Sequence, residues 1–161
     1  KAGKRMALKI LDGTMDRVIA LRESEIVLGL NDKEVYEAFG GRVHEAKNKV
    51  VSFIKQEVVS GKRVHGYAAS TKGNTTLQFY DLNSDLIEAI ADRNPKKYGK
   101  FTSGTLIPVI SEEDSRALKP DYYLILAWHF LPEFLKRESE YLKRGGKFII
   151  PMPEFKVISV A

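Results

Sequence analysis

The chain has 161 residues, of which 43% are hydrophobic and 29% charged, a composition typical of a globular domain with a substantial core. It contains no cysteine, which excludes disulfides and thiolate metal sites, and its three histidines, His44, His65 and His129, do not fall at metal-ligand spacings. The net charge of +5 favours anionic partners, but the cations are spread along the chain and do not indicate nucleic acid.

The N-terminal part of the sequence reads as a lead-in followed by a long helix. Residues 1–31 mix charged and apolar residues without a clean period, and we interpret them as a linker from an upstream domain, with a short strand or helix near 15–21. Asn31 and Asp32 are predicted to cap a helix over 32–60, where apolar residues recur at steps of three and four. Gly61 is predicted to end this helix.

Beyond Gly61 the pattern alternates between apolar strands and short helices, so residues 32–161 are predicted to form one domain whose sheet begins at residue 63. The predicted strands cover 63–68, 86–91, 106–110, 122–128 and 147–150, with a candidate edge strand at 155–160. Helices are predicted over 73–80, 111–118 and 132–144. The predicted class is therefore α/β: a Rossmann-like, open, mostly parallel sheet with flanking helices, preceded by a long N-terminal helix.

The turn after the first strand is the strongest candidate for a ligand site. A turn of small residues between a strand and a helix directs backbone N–H groups and the positive helix end outward, which suits a phosphate. Lys72 adds a cation, while Ser70, Thr71 and Asn74 add neutral donors. The glycine spacing matches neither a dinucleotide fingerprint nor a P-loop. The alternative is a structural turn in which Ser70 or Thr71 caps the helix and Lys72 is solvated.

Strand order decides which loops join this turn. If the order is 3-2-1-4-5, the order reverses between the first and fourth strands, and the loops 69–74, 92–100 and 128–131 converge there. Asp92 could then accept hydrogen bonds from ribose hydroxyls, as an acid at the end of the second strand does in dinucleotide sites. The alternative is that Asp92 pairs with Arg93 or caps a turn.

The loop after Asp92 is rich in groups that bind phosphate or sugar. Arg93, Asn94, Lys96 and Tyr98 would suit a diphosphate, although a solvated basic loop explains them equally well. His129 ends the fourth strand and is a candidate ligand donor or proton carrier. The residues supply no trio of nucleophile, base and acid and no carboxylate pair at catalytic spacing, so they predict a site that binds an anion.

The sequence offers no sign of a membrane partner. No apolar run is long enough to span a bilayer, and Lys4, Arg5 and Lys9 interrupt the stretch in which a signal peptide needs one. A cytoplasmic protein is therefore expected, in keeping with the absence of cysteine. The first residue is Lys1 rather than Met, so one interpretation is that a longer parent chain precedes it.

Five blocks of sequence, in their order and spacing, resemble the C-terminal domain of the sugar-nucleotide C-methyltransferases. The blocks are GYAASTKGNT at 66–75, DRNPK at 92–96, GTLIPV at 104–109, PDY with LAWH at 120–122 and 126–129, and RGGKFIIPMP at 144–153. The family often has Gly at the position of Ala68 and Asn at that of His129, and the second departure weakens any role carried over to His129.

This resemblance implies a three-part enzyme that methylates a carbon of a deoxy-keto sugar carried on a nucleoside diphosphate. Zinc and S-adenosylmethionine would belong to upstream domains, with no cofactor in this one. The domain itself would hold the nucleoside diphosphate sugar against the S-adenosylmethionine-binding domain and would be inactive alone. The expected substrate-binding residues are Ser70, Thr71, Lys72, Gly73, Asn74, Asp92, Arg93, Asn94, Lys96, Tyr98 and His129.

Two other functions are compatible with the same sequence. In one, the sheet is a scaffold and the N-terminal helix packs on a partner protein, which makes the chain a non-catalytic interaction module. An exposed apolar stripe on that helix and a blocked cleft at residues 70–74 would favour it. In the other, the chain is a complete enzyme that binds S-adenosylmethionine at the Gly66 turn, which its glycine spacing disfavours.

Overall fold

The computed structural model describes residues 13–160, and the chain divides into two compact units with a boundary between Arg42 and Val43. The first unit contains α1 (Thr14–Val27), where the sequence predicted a short strand or helix, and the first part of α2 (Lys33–Val59). The rest of the lead-in, residues 1–12, lies outside the described residues. None of the helices within residues 13–160 combines the length and apolar character needed to cross a bilayer.

The second unit is built on a six-stranded sheet. Its strands are β1 (Val64–Tyr67), β2 (Ile90–Asp92), β3 (Val109–Ser111), β4 (Tyr122–Ile125), β5 (Lys147–Ile150) and β6 (Lys156–Ile158). They lie in the order β3-β2-β1-β4-β5-β6, and every neighbouring pair is parallel except β5 with β6. The predicted α/β class, the mostly parallel sheet with flanking helices, the order of the first five strands and the N-terminal helix are confirmed.

Helices cover both faces of the sheet. They are α3 (Thr71–Phe79), α4 (Glu112–Ala117), α5 (Leu131–Arg137) and α6 (Ser139–Lys143), together with the second part of α2. On one face, Val50 and Ile54 of α2 and Leu77 of α3 pack against Leu124 and Leu126. The other face is more aromatic, with a cluster of Tyr67, Tyr123, Phe134, Tyr141 and Phe148 under α5 and α6. A central strand covered on both sides explains the continuous apolar run at 122–127.

Two strands begin later than predicted because turns occupy their first residues. β2 was expected at 86–91, but the N–H groups of Leu86 and Ile87 donate to the carbonyl of Asn83 in a turn. β3 was expected at 106–110, but Leu106 has a left-handed φ of 53° and the N–H of Ile107 bonds the Thr102 hydroxyl at 2.9 Å. Hydrophobic runs alone do not reveal such turns.

Other predicted boundaries also change. The strand predicted over 122–128 ends at Ile125, opposite Tyr67, the last residue of its partner β1, and Trp128 begins a 3₁₀ turn. The helix predicted over 132–144 is interrupted at Glu138, whose buried carboxylate accepts hydrogen bonds from Tyr67 and Arg116. The helix predicted from Gly73 starts two residues earlier, at Thr71.

A buried polar network lies on the aromatic face of the sheet. His65 on β1 bonds the hydroxyl of Ser115 through Nδ1 at 2.8 Å, and Ser115 bonds the Tyr123 hydroxyl at 2.9 Å. The other ring nitrogen of His65 lies 3.4 Å from a carboxylate oxygen of Glu88, which Arg63 also contacts. Burial lowers the pKa of His65 although Glu88 opposes the change, so the folded protein favours the neutral ring.

Candidate functional site

The start of α3 is capped by the side chain that the sequence singled out. Ser70 has an extended backbone and its hydroxyl accepts the N–H of Gly73 at 3.0 Å. The backbone N–H groups of Thr71 and Lys72 lie in the first turn of the helix, so no carbonyl of a preceding turn accepts hydrogen bonds from them. The structure thus agrees with the structural alternative for this turn: Ser70 caps the helix, and Lys72 is exposed. A cap of this kind leaves the positive helix end open to an anion.

Gly73 lets α3 lie against the end of the fourth strand. A Cβ atom at this position would lie 2.6 Å from Cβ of Leu126 and 3.3 Å from the Leu126 carbonyl oxygen. Any larger residue would force the helix away from Leu126. The role of Gly73 is thus one of close packing, which fixes where Ser70 and Asn74 stand.

The three loops expected at the reversal of strand order do converge. They line a depression of about 400 Å³ beyond the carboxyl ends of β1, β2 and β4, which we call the ion-pair cleft. Its lining comprises Ala68, Ala69, Ser70, Asp92, Arg93, Asn94, Lys97, Glu112, Ala127, Phe130, Glu133, Phe134 and Arg137. The topology therefore brings the first two predicted loops and Phe130 of the third to one place.

Every cation of the ion-pair cleft has a carboxylate partner. Arg93 lies 3.8 Å from Glu133, while Arg137 lies 3.0 Å from Glu112 and also contacts Glu133. Lys97 completes the set, 3.0 Å from Asp92. Three cations and three carboxylates balance in charge, so this cleft is less cationic than the sequence of its loops implies.

Behind this cleft, a buried tyrosine supports the charged residues. The Tyr67 hydroxyl donates to Glu138 at 2.7 Å, and Arg116 donates to the same carboxylate oxygen at 2.6 Å. Burial, together with the Glu138 carboxylate, raises the pKa of Tyr67, so its hydroxyl stays protonated and remains a donor.

Lys97 separates the ion-pair cleft from a second one. Its Nζ donates to the Ala69 carbonyl at 2.6 Å and to the Asp92 carboxylate at 3.0 Å, which ties the first and second loops together. From the loop 92–100 the sequence analysis selected Lys96 and not Lys97, because nothing in the sequence distinguishes the two lysines. Only the 3₁₀ turn at Pro95–Lys97 shows that Lys97 points inward while Lys96 is exposed.

The second depression, about 300 Å³ in volume, lies beside the start of α3, and we call it the hydroxyl cleft. Its lining comprises Ala69, Ser70, Thr71, Asn74, Leu77, Ile90, Lys97, Lys100, Phe101, Thr102, Ser103, Val109 and Leu126. Among the described residues that line it, two are lysines and none is acidic. Hydroxyls, a helix start and an apolar floor are thus combined with net positive charge.

Asn74 is the most informative residue of the hydroxyl cleft. Its Oδ1 atom is buried and has no hydrogen-bond partner among the described residues. A buried polar atom without a partner is costly, typically by about 1–3 kcal/mol, and such groups commonly mark a ligand or water site. Because Oδ1 can only accept a hydrogen bond, Asn74 fits a role in binding a hydroxyl or N–H donor within this cleft.

The predicted residues divide into those that line a cleft and those that do not. Ser70, Thr71, Asn74, Asp92, Arg93 and Asn94 line one or both clefts, whereas Lys72, Gly73, Lys96, Tyr98 and His129 line neither. Lys72, Lys96, Tyr98 and His129 are exposed, and the His129 ring packs beside Phe130, with 4.4 Å between centroids.

The geometry at Asp92 favours one of the two predicted alternatives. Asp92 is 7% exposed, accepts the N–H of Asn94 at 2.8 Å and pairs with Lys97. It therefore caps a turn, as the structural alternative proposed, but its ion-pair partner is Lys97 rather than Arg93. Asn94 in turn accepts the N–H of Lys96 at 3.1 Å, which starts the 3₁₀ turn.

The described residues include one cluster that approaches a catalytic set in its chemistry. Glu88, His65 and Ser115 form the nearest approach to a nucleophile–base–acid set, but His65 and Ser115 are fully buried and out of reach of a substrate. Within residues 13–160, no group of three or more His, Asp or Glu side chains is placed to hold a metal ion.

Comparison with known proteins identifies the family. Residues 7–153 match the model of the C-methyltransferase C-terminal domain. The chain is also 37% identical over 131 residues to the C-methyltransferase NovU of Streptomyces niveus, an alignment that covers 81% of this chain but 31% of that relative. The chain thus spans about a third of the length of this relative, and it belongs to the C-methyltransferase C-terminal domain family.

Proposed function

We propose that this domain binds the nucleoside diphosphate sugar on which a C-methyltransferase acts, while methyl transfer takes place on another domain. S-adenosylmethionine and zinc would be held by upstream domains, because this one offers neither a glycine-rich donor turn nor a thiolate set. The single observation that carries the proposal is the hydroxyl cleft, where the buried, unpartnered Oδ1 atom of Asn74, an acceptor for a hydroxyl or N–H of the ligand, lies beside two lysines and the start of α3.

The difference in charge between the clefts suggests which part of the ligand each one binds. A diphosphate needs uncompensated positive charge and N–H donors, which the hydroxyl cleft offers through Lys100 and the first turn of α3, while Lys97, although paired with Asp92, adds one further N–H donor. Sugar hydroxyls both donate and accept, so they match the paired guanidinium and carboxylate groups of the ion-pair cleft. Lys97 and Ser70 line both clefts and would contact the ligand where its two parts join.

Calorimetric titration of the chain with thymidine diphosphate and other nucleoside diphosphates tests this function. We expect saturable binding that Asn74→Asp weakens at least about tenfold, because it adds a carboxylate to the cleft proposed for the diphosphate. The matched control is Asn48→Asp, the same change at an exposed position of α2. Absence of heat with several nucleotides, or equal binding by both variants, would contradict the proposal.

An interaction surface is the second candidate function, and a specific observation favours it. α1 has no buried residue, and large apolar side chains stand exposed on it and on the following segment: Met15, Val18, Ile19, Leu21, Ile26, Val27, Leu28, Leu30, Tyr36 and Phe39. We infer that the S-adenosylmethionine-binding domain packs on this surface, so the two candidate functions complement each other. The cleft at residues 70–74 is open, whereas an interaction module alone predicts a blocked one.

Sedimentation of the chain mixed with a separately produced S-adenosylmethionine-binding domain tests the docking surface. The double change Ile19→Glu and Ile26→Glu should abolish association, because it places charge in the apolar contact, and should leave nucleotide binding intact. Lys49→Glu, on an exposed part of α2 beyond this segment, is the control. Association that survives the double change would refute the docking surface without affecting the nucleotide proposal.

A further inference from the structure

A third depression lies at the end of the sheet opposite both clefts. It has a volume of about 530 Å³ and is lined by the turn before β4, which includes Lys119 and Asp121, and by the turn before β5, which includes Gly145 and Gly146. We call it the amino-end cavity. β4 and β5 are parallel and four residues long, so their carboxyl ends stand roughly 13 Å away, and this cavity is separate from the two clefts.

Two of the charged residues at this cavity are already neutralised. Arg116 donates to the buried carboxylate of Glu138 at 2.6 Å and lies 3.8 Å from Glu112. Asp121 accepts the N–H of Arg63 at 2.9 Å and pairs with Lys62 at 3.0 Å. The single carboxylate that lines the cavity therefore does not compensate its other cations.

Lys119 and Arg144 supply the remaining positive charge. Across the described residues, neither has a carboxylate within ion-pair distance, although both line the same cavity. The guanidinium of Arg144 is oriented by a hydrogen bond from Nε to the Glu140 carbonyl at 3.1 Å, which leaves its terminal nitrogens free to bind. Two cations at one concave surface create a local positive potential that attracts anions.

The backbone around the cavity has a fixed shape. A Cβ atom at Gly146 would lie 2.3 Å from Cζ of Tyr141, so only glycine allows the turn to lie over the tyrosine ring. The Tyr141 hydroxyl contacts both the N–H and the carbonyl of Lys147 at 3.3 Å, which holds the ring in place. Lys119 has a left-handed φ of 52°, a conformation that costs a non-glycine residue on the order of 1 kcal/mol.

We propose that the amino-end cavity binds a small phosphate-bearing molecule through Arg144 and Lys119. A guanidinium offers two parallel N–H groups that match a pair of phosphate oxygens, and an ammonium adds a mobile point charge. A cavity of about 530 Å³ is large enough for a phosphate group with its substituent. This site does not depend on the nucleotide clefts, because it shares no lining residue with either of them.

Titration of the ¹⁵N-labelled chain with inorganic pyrophosphate, followed by NMR, tests the site. We expect saturable shifts at the amides of Lys119, Gly145 and Gly146. Arg144→Gln and Lys119→Gln should each weaken this binding at least fivefold. Lys143→Gln is the matched control, because it removes the same charge from the neighbouring position, where the lysine is exposed and pairs with Glu140.

The outcomes separate this site from the proposed nucleotide site. Asn74→Asp should leave the shifts at Gly145 and Gly146 unchanged, and Arg144→Gln should leave nucleoside diphosphate binding unchanged. Shifts confined to residues 69–103, an equal loss of binding in Lys143→Gln, or no saturation up to about 10 mM pyrophosphate would each overturn the proposal.

Discussion

The two clefts at the carboxyl rim of the sheet share a wall but differ in charge. Ala69, Ser70 and Lys97 line both. In the ion-pair cleft the cations are neutralised by Asp92, Glu112 and Glu133, whereas no carboxylate lines the described part of the hydroxyl cleft. The difference shows that the number of cations in a loop does not measure the charge available to a ligand, since nearby carboxylates decide how much remains.

The hydroxyl cleft depends on close packing of α3, so the largest effect is expected from filling the space at Gly73. Gly73→Ala should lower the free energy of unfolding by about 1–3 kcal/mol, because the new methyl group collides with Leu126. Gly40→Ala, in α2 with nothing within 4 Å, should instead stabilise the protein by about 0.5–1 kcal/mol. Urea denaturation measures both, and stabilisation by Gly73→Ala would show that α3 is free to shift.

Lys97 joins the two clefts, and its removal should weaken ligand binding next most strongly. Lys97→Met keeps the apolar stem and deletes the ammonium that bonds Ala69 and Asp92, so nucleoside diphosphate binding should fall about tenfold, or about 1.4 kcal/mol. Lys96→Met is the control, since Lys96 is exposed and lines neither cleft. Equal losses in the two variants, measured by calorimetry, would mean that only the overall charge of the loop matters.

In the ion-pair cleft, the expected effect is on stability. Arg137→Met leaves Glu112 and Glu133 without their closest partner, and Glu112 is only 9% exposed, so the free energy of unfolding should fall by about 1 kcal/mol. Lys49→Met breaks an exposed ion pair with Glu45 and should have little effect. If denaturation curves of the two variants coincide, the ion pairs of this cleft do not stabilise the fold.

The smallest expected effect is a pH dependence arising in the buried polar network around His65. Burial lowers the pKa of His65, so below about 6.5 the unfolded chain binds a proton that the folded chain does not, and stability falls as the pH decreases. The loss is at most about 0.8 kcal/mol at pH 6 for one group. Thermal unfolding between pH 7.5 and 6 measures it.

A matched substitution identifies the histidine responsible. His129→Gln, at an exposed position, should keep the pH dependence, whereas His65→Gln should remove it. If His65→Gln unfolds the chain, the less disruptive Glu88→Gln gives a second test: the Glu88 carboxylate opposes the lowering of the His65 pKa, so its loss should steepen the slope. A slope that is unchanged in both of these variants would exclude His65 as its source.

Features set by local chemistry were predictable from the sequence. The parallel sheet follows from apolar strands joined by short helices, the cap at Ser70 or Thr71 from a hydroxyl side chain before a helix, and the convergence of loops from the strand order that the sequence analysis assumed. Pairings between distant residues were not predictable. The contact of Arg93 with Glu133 spans forty residues and depends on where α5 lies, and the inward direction of Lys97 depends on a 3₁₀ turn.

The position of Lys97 also limits how many contacts it can offer. An ammonium group carries three hydrogens, and Ala69 and Asp92 already take two of them. The third hydrogen can point toward only one oxygen at a time. A ligand that extends into both clefts would therefore receive only one hydrogen bond from Lys97. Acceptor atoms in the ion-pair cleft and in the hydroxyl cleft would compete for that single N–H group.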